Sequence, residues 1–155
     1  MARNQNGKRK SVIIVRERNG HSVPAVFASE SAALGWIKSR LLSGTVLHAD
    51  EAPGWDALHA HFEMKRIDHS KAYSEAGACT NMAEEYFSRL RRAEAGHHHH
   101  IAGAYLLRYA QEASWREDNR RMSNGDQVRR VAALALAKAT SPDFVGYWQR
   151  HLAVA

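Results

Sequence analysis

The feature of this sequence that limits its fold most strongly is a change from strand-like to helical patterning near residue 80. Ser11–Val15 and residues 23–28 are short runs rich in β-branched side chains, which are typical of strands. Asn19-Gly20, between them, is a favoured pair for a two-residue hairpin turn. Beyond residue 80 the apolar residues recur at helical spacing. The pattern therefore predicts an α/β fold whose sheet lies in the first half and whose second half is helical.

Strands and helices alternate between these two regions. A helix is predicted from Ser29 to Ser43-Gly44, a strand over 45–49 that ends on Asp50, a short helix through Leu58 and Phe62, and a strand over 64–68. After a loop over 71–79, helices are predicted at 80–94, 101–118, 125–139 and 142–152. This order favours one α/β domain with a helical C-terminal extension. We divide it into a basic arm (1–10), a sheet-bearing domain (11–95) and an extension of that domain (96–155).

The positive charge is concentrated at the N-terminus. The chain has 22 basic and 16 acidic residues, a net charge of +6, and four of the basic residues lie in the first ten positions. An arm of this kind favours a polyanionic partner, although a solubilising tail has the same composition. Within the arm, Lys8, Arg9 and Lys10 are the candidates for binding DNA phosphates.

Composition and patterning also exclude some classes of protein. No stretch reaches the roughly 20 apolar residues that a membrane-spanning helix needs, and the N-terminus lacks the apolar run of a signal peptide. The single cysteine, Cys79, cannot form an intrachain disulfide. We therefore expect a cytoplasmic protein that does not contact membranes.

Three acids are the candidates for chemistry. Asp50 follows an apolar strand, and chemistry in α/β proteins gathers at the carboxyl ends of strands. Glu84 and Glu85 lie on the first long helix, and each is followed seven residues later by an arginine, Arg91 or Arg92. Seven residues span about 11 Å along a helix, so each pair shares a face.

Carboxylates from separate elements can hold two Mg²⁺ ions for phosphoryl transfer, and a cation farther along the helix can bind the substrate phosphate. The alternative is that Asp50 caps the next helix and that Glu84 and Glu85 belong to a solvated surface. Periodicity does not separate the two glutamates, because both flank the apolar stripe of the helix.

A family resemblance favours the catalytic interpretation. Four blocks occur in order: VLHADEAPGWDAL, IDHSKAYS, CTNMAEEYFSRLRRA and HHHHIAGAYLLRYAQEASWREDNRR. Over roughly residues 8–121 the chain resembles the C-terminal part of a DDE insertion-sequence transposase of the ISXO-like branch. The resemblance implies a ribonuclease-H-like mixed sheet, Mg²⁺ or Mn²⁺ at a two-metal site, and bacterial DNA transposition by cutting and rejoining DNA at mobile-element ends.

The resemblance also implies roles for individual residues. Asp50 matches the second catalytic acid of the family. Asn81 and Glu84 match its Asn-x-x-Glu pattern, which favours Glu84 over Glu85 as the third acid. Arg91 matches a basic position where the family more often has lysine, and with Arg92 and Asn81 it is a candidate for DNA binding.

One departure concerns the first catalytic acid, which the family carries on its first strand. No Asp precedes Asp50 here, and the only earlier glutamates are Glu17 and Glu30. We therefore expect that the first strand is missing and that the chain alone performs little strand transfer. We also expect a second copy, or a strand from a partner, to complete the sheet.

Two other functions are also consistent with the sequence. A non-catalytic DNA-binding or interaction module descended from a transposase would account for the absent acid. A metallohydrolase with histidine ligands is the weaker hypothesis, because the adjacent histidines His97–His100 are poorly placed to converge on one ion. Salt-dependent DNA binding without metal-dependent cleavage would support the module, and full metal occupancy at only the Asp50 and Glu84 region would argue against the metallohydrolase.

Overall fold

The computed structural model describes residues 10–68, 79–101 and 103–139. Its strands are β1 (Ser11–Arg16), β2 (Ser22–Phe27), β3 (Val46–Asp50) and β4 (Glu63–Ile67). Its α-helices are α1 (Leu34–Arg40), α2 (Asn81–Ala93), α3 (Leu106–Asn119) and α4 (Asn124–Ala137). Short 3₁₀ segments cover Ser31–Ala33 and Pro53–Leu58, and a π-helical turn covers Glu94–His98. Contacts divide the chain into two units, Met1–Asp118 and Asn119–Ala155.

β1 and β2 form an antiparallel hairpin in which Ser11 faces Phe27 and Arg16 faces Ser22. The predicted hairpin is confirmed, but its loop is longer than the Asn-Gly pair indicates, because Glu17 N donates to His21 O and three residues lie between them. Asn19 has a φ of 62°. A two-residue type I′ turn needs a positive φ at both of its central residues. Of the described residues in this loop, only Asn19 has a positive φ.

β3 and β4 form a parallel pair in which Val46 faces Glu63 and Asp50 faces Ile67. No ladder joins this pair to the hairpin within the part of the chain that the structure describes. The resemblance implies a single mixed sheet, whereas the described residues form two separate two-stranded sheets. The α/β class itself is confirmed.

Both sheets contribute to one apolar core. Its buried members are Ile13, Ala33, Ile37 and Leu58. Val15 of β1, Leu47 of β3 and Met64 of β4 pack against them, together with Phe27, Leu34, Trp36, Leu41, Trp55 and Phe62. Because alternate residues of a strand share a face, one face of each sheet is turned toward this core.

The opposite face of β1 carries Arg16, whose Nη1 donates to the carbonyl oxygen of Met82 in α2 at 3.0 Å. Tyr86 of α2 is fully buried, and its hydroxyl donates to Ala110 O of α3 at 2.9 Å. α2 and α3 therefore pack against each other, and α2 also contacts the hairpin.

The second unit contains α4. Ser123 caps this helix, since its Oγ accepts from Asp126 N at 3.2 Å. Arg130 Nη1 donates to Asn119 Oδ1 at 2.9 Å and ties α4 to the residue that begins the unit. Among the described helices of the chain, none has the length and apolar character needed to cross a membrane.

The predicted elements agree with the structure in order and type. The predicted helix over 101–118 begins later, at Leu106, because a turn occupies the residues before it. The loop over 71–79, except for Cys79, and the helix over 142–152 lie outside the described residues. The domain boundaries after residues 10 and 95 stay predictions.

Candidate functional site

As the sequence predicts, Asp50 lies at the end of β3. The structure shows that it is exposed. Its Oδ1 accepts from the indole Nε1 of Trp55 at 2.8 Å and from Ala52 N at 3.4 Å. The carboxylate thus closes the turn that leads into the Pro53–Leu58 segment. Ala52, rather than Asp50, occupies the N-cap position of that segment. Asp50 therefore stabilises the turn before the segment and does not cap the segment itself.

The same turn is held by Arg66 of β4. Arg66 Nε donates to Asp50 O at 2.6 Å, and Nη2 donates to Ala52 O at 2.8 Å. Nη1 lies 3.1 Å from Asp56 Oδ1. Sequence analysis missed Arg66, since an arginine in a short strand usually indicates only a solvent-facing position.

Glu84 and Glu85, which periodicity does not separate, have different surroundings. Glu84 is exposed in the first turn of α2, where Thr80 Oγ1 donates to its Oε1 at 3.1 Å. Glu85 accepts from Arg89 Nη2 at 2.8 Å, and Arg89 Nε lies 3.0 Å from the buried carboxylate of Glu117. Glu85 is thus part of an ion-pair network, whereas Glu84 lies at the solvent-facing start of the helix.

That network fixes α2 against the hairpin and α3. Arg16 Nη2 donates to Glu117 Oε1 at 3.0 Å, and the Glu117 side chain is only 1% exposed. The neighbouring Asp118 accepts from the backbone N and the Oγ of Ser22 at 3.0 and 2.7 Å. Sequence analysis did not single out these two acids, because their partners lie 101 and 96 positions away in the sequence.

A hydrogen bond connects β3 with the residues that lead into α2. Cys79 N donates to His48 Nδ1 at 3.1 Å. His48 precedes Asp50 by two residues and shares its face of β3. Burial lowers the pKa of His48, and the positive charges of Arg18 and Lys65 lower it further. A neutral imidazole is the form whose Nδ1 can accept this bond.

The candidate DNA-binding residues of α2 are exposed. Asn81 is its first residue, and Arg91 and Arg92 lie in its last turns. The Arg91 guanidinium lies 6.0 Å from the centre of the Phe87 ring, and Arg92 Nε donates to Ser88 O at 3.3 Å. Of the basic arm, Lys10 is exposed, whereas Lys8 and Arg9 lie outside the described residues.

The donor chemistry of Asp50 and Glu84 fits a hard divalent cation, because Mg²⁺ and Mn²⁺ prefer carboxylate oxygens. Both bonds to the Asp50 carboxylate described above use Oδ1. Across residues 10–68, 79–101 and 103–139, however, no group of three or more His, Cys, Asp or Glu residues could hold a metal ion. Asp50 and Glu84 therefore make at most a partial ligand set.

The histidine run does not form a metal cluster in the described region either. His97 and His98 belong to the π-helical turn after α2, and His99 has a φ of 54°. The His98 ring packs edge-on against Tyr109, with 4.5 Å between ring centres. His98 therefore packs the π-helical turn against α3.

Comparison with known proteins identifies the family of the chain. No curated protein matches the sequence. No solved structure matches it either. The family model described as the ISXO2-like transposase domain matches residues 1–118, which include β1 to β4, α2 and most of α3. The resemblance stated from the sequence blocks is thereby confirmed, and the chain belongs to the family of ISXO2-like transposase domains.

Proposed function

We propose that this chain acts in DNA transposition as a metal-dependent domain for DNA strand cleavage and transfer, with Asp50 and Glu84 as its metal ligands. One observation carries the proposal. Asp50 ends β3, Glu84 lies in the first turn of α2, and the bond from Cys79 N to His48 Nδ1 joins β3 to the residues that lead into α2. Both carboxylates are exposed and lie on separate elements, as a phosphoryl-transfer site requires.

Bound Mg²⁺ or Mn²⁺ would activate the attacking oxygen, first of water and then of a DNA 3′-hydroxyl, and would stabilise the leaving oxygen. The contribution of this chain is to hold negative charge at fixed positions. Trp55 Nε1 orients the Asp50 carboxylate, and Thr80 Oγ1 orients that of Glu84. Glu84 is favoured over Glu85 because it matches the Asn-x-x-Glu pattern of the family and is exposed, whereas Glu85 is half-buried.

The DNA backbone would contact α2 and the arm. Asn81 lies beside Glu84, and Arg91 lies about 11 Å farther along the helix, as the rise of seven residues gives. Arg91 and Arg92 would neutralise phosphates, and the arm residues Lys8, Arg9 and Lys10 would add salt-dependent affinity. These contacts set the register of the DNA without reading its sequence.

A complete site needs further ligands, because the described residues provide no group of three. We propose that in the complete assembly the two small sheets join into a ribonuclease-H-like sheet, completed by another strand or by a second copy of the chain. Within the described residues, β1 and β3 each pair with one strand only, and their other edges would accept such a strand. By itself, the 155-residue chain should perform little strand transfer.

Metal affinity tests the assignment of the ligands. Asp50→Asn and Glu84→Gln should each lower the affinity for Mn²⁺ at least tenfold, measured by calorimetric titration, because each removes a charged ligand. Glu51→Gln and Glu85→Gln are matched controls, since they remove one charge from the neighbouring position. Equal losses in all four variants would show a diffuse charge effect and contradict the assignment.

A second function is favoured by one observation, the lack of a three-residue metal group in the described ranges. The chain would then be a DNA-binding module without cleavage activity. Binding of duplex DNA that weakens steeply with salt, with neither metal binding nor cleavage in Mg²⁺, would support this function. Cleavage of element-end DNA that Asp50→Asn abolishes would exclude it.

A further inference from the structure

We propose that Arg66 is a positioning residue for Asp50 and sets the orientation of its carboxylate for a divalent cation. The inference rests on the proposed role of Asp50 as a metal ligand. Arg66 itself contacts the main chain on both sides of the turn, so it acts through Asp50 and not on a substrate.

The contacts of Arg66 restrain the turn that follows β3. Its Nε and Nη2 donate to Asp50 O and Ala52 O at 2.6 and 2.8 Å, and its Nη1 donates to Asp56 Oδ1 at 3.1 Å. The side chain is only 16% exposed. A planar guanidinium can satisfy several acceptors at once, whereas a lysine presents a single flexible ammonium group.

Restraining this turn also restrains the carboxylate. Trp55 Nε1 and Ala52 N both donate to Oδ1 of Asp50, and both lie on the segment that Arg66 holds. In the described structure, Oδ2 is therefore the oxygen left to bind a cation. Without Arg66, Asp50 and Ala52 could shift relative to Trp55, and the carboxylate would lose its single orientation.

The charge of Arg66 makes the proposal testable. Removal of a nearby positive charge should, by electrostatics alone, raise the affinity of the site for a divalent cation. A positioning role predicts the opposite sign, because partners that orient metal ligands typically contribute tenfold or more to metal affinity. Loss of affinity after neutralisation of Arg66 therefore indicates positioning.

The experiment uses the full chain with Arg66→Gln and Arg66→Lys. Mn²⁺ affinity is measured by calorimetry below the unfolding temperature, and the indole N–H resonance of Trp55 is followed by NMR. Arg66→Gln should lower Mn²⁺ affinity about tenfold and shift the Trp55 indole resonance. Arg66→Lys should lower it nearly as much, although the charge is kept. Arg40→Gln is the matched control, because Arg40 is exposed and its guanidinium lies 5.8 Å from the centre of the Trp36 ring.

The outcomes separate this inference from the proposed function. If Asp50→Asn lowers Mn²⁺ affinity and Arg66→Gln leaves it unchanged or raises it, the positioning role is wrong and the metal site stands. If Asp50→Asn has no effect, the metal site itself is wrong.

The wild-type chain gives a second test that does not depend on how the variants fold. Titration with Mg²⁺ should shift the Arg66 Nε–H and Trp55 indole resonances with one apparent affinity. If Mg²⁺ binds while both resonances stay unchanged, the positioning role is contradicted.

Discussion

Tyr86 illustrates how a single buried residue connects two helices. It is fully buried in α2, and its hydroxyl donates to Ala110 O of α3. Burial raises its pKa to about 12, because the phenolate would lose its hydration. The neutral phenol is therefore the form that the folded state stabilises.

The shift predicts a loss of stability at alkaline pH. Because the folded pKa lies above the unfolded value of 10.0, the stabilisation is complete below pH 10 and is lost as the pH rises toward 12. We expect Tyr86→Phe to cost about 1 kcal/mol at neutral pH and to flatten this alkaline loss. Urea unfolding between pH 7 and 12 measures both effects. An unchanged alkaline loss in Tyr86→Phe would contradict the account.

At the scale of elements, buried charge fixes the position of α2. The Glu117 carboxylate of α3 lies 3.0 Å from both Arg16 of β1 and Arg89 of α2. Arg16 also donates to Met82 O in the first turn of α2, beside Glu84. The charge network therefore supports the turn that presents the candidate ligand.

Glu117→Gln tests this network. The substitution leaves two guanidinium groups without their shared counter-charge, and breaking a buried pair in this way costs about 3 kcal/mol. Glu112→Gln is the matched control on the same helix, because Glu112 pairs with Arg116 at the surface, where such pairs contribute about 0.5 kcal/mol. Urea unfolding measures the free energy of unfolding for both. Similar losses in the two variants would contradict the structural role of Glu117.

Individual residues and elements show what could and could not be predicted from the sequence. Periodicity predicted the hairpin, the alternation of strands and helices, and Asp50 at a strand end, because these depend on local patterns. It could not pair Arg16 with Glu117, since 101 residues separate them and a charged residue does not reveal its partner. The bonds from Arg66 to the turn after Asp50 were also not predicted, because a charged residue does not reveal its partner. The choice of Glu84 over Glu85 came from family resemblance.

At the scale of the whole molecule, the family match covers the unit that contains both sheets, α2 and most of α3. Two small sheets share one core, and the candidate ligands lie on β3 and α2 of that unit. The match supports a function in DNA transposition. Asp50 and Glu84 connect the proposed chemistry to specific positions, and that chemistry depends on whether they bind the same ion.

A double-mutant cycle of Mn²⁺ affinity over Asp50→Asn and Glu84→Gln tests that dependence most directly. If both carboxylates hold one ion, the loss of Mn²⁺ binding free energy in the double variant should differ from the sum of the losses in the two single variants. The difference should be about 0.5 kcal/mol or more, which is typical of groups in contact. Losses that add within error, or no loss in either single variant, would contradict a shared metal site and favour the DNA-binding module.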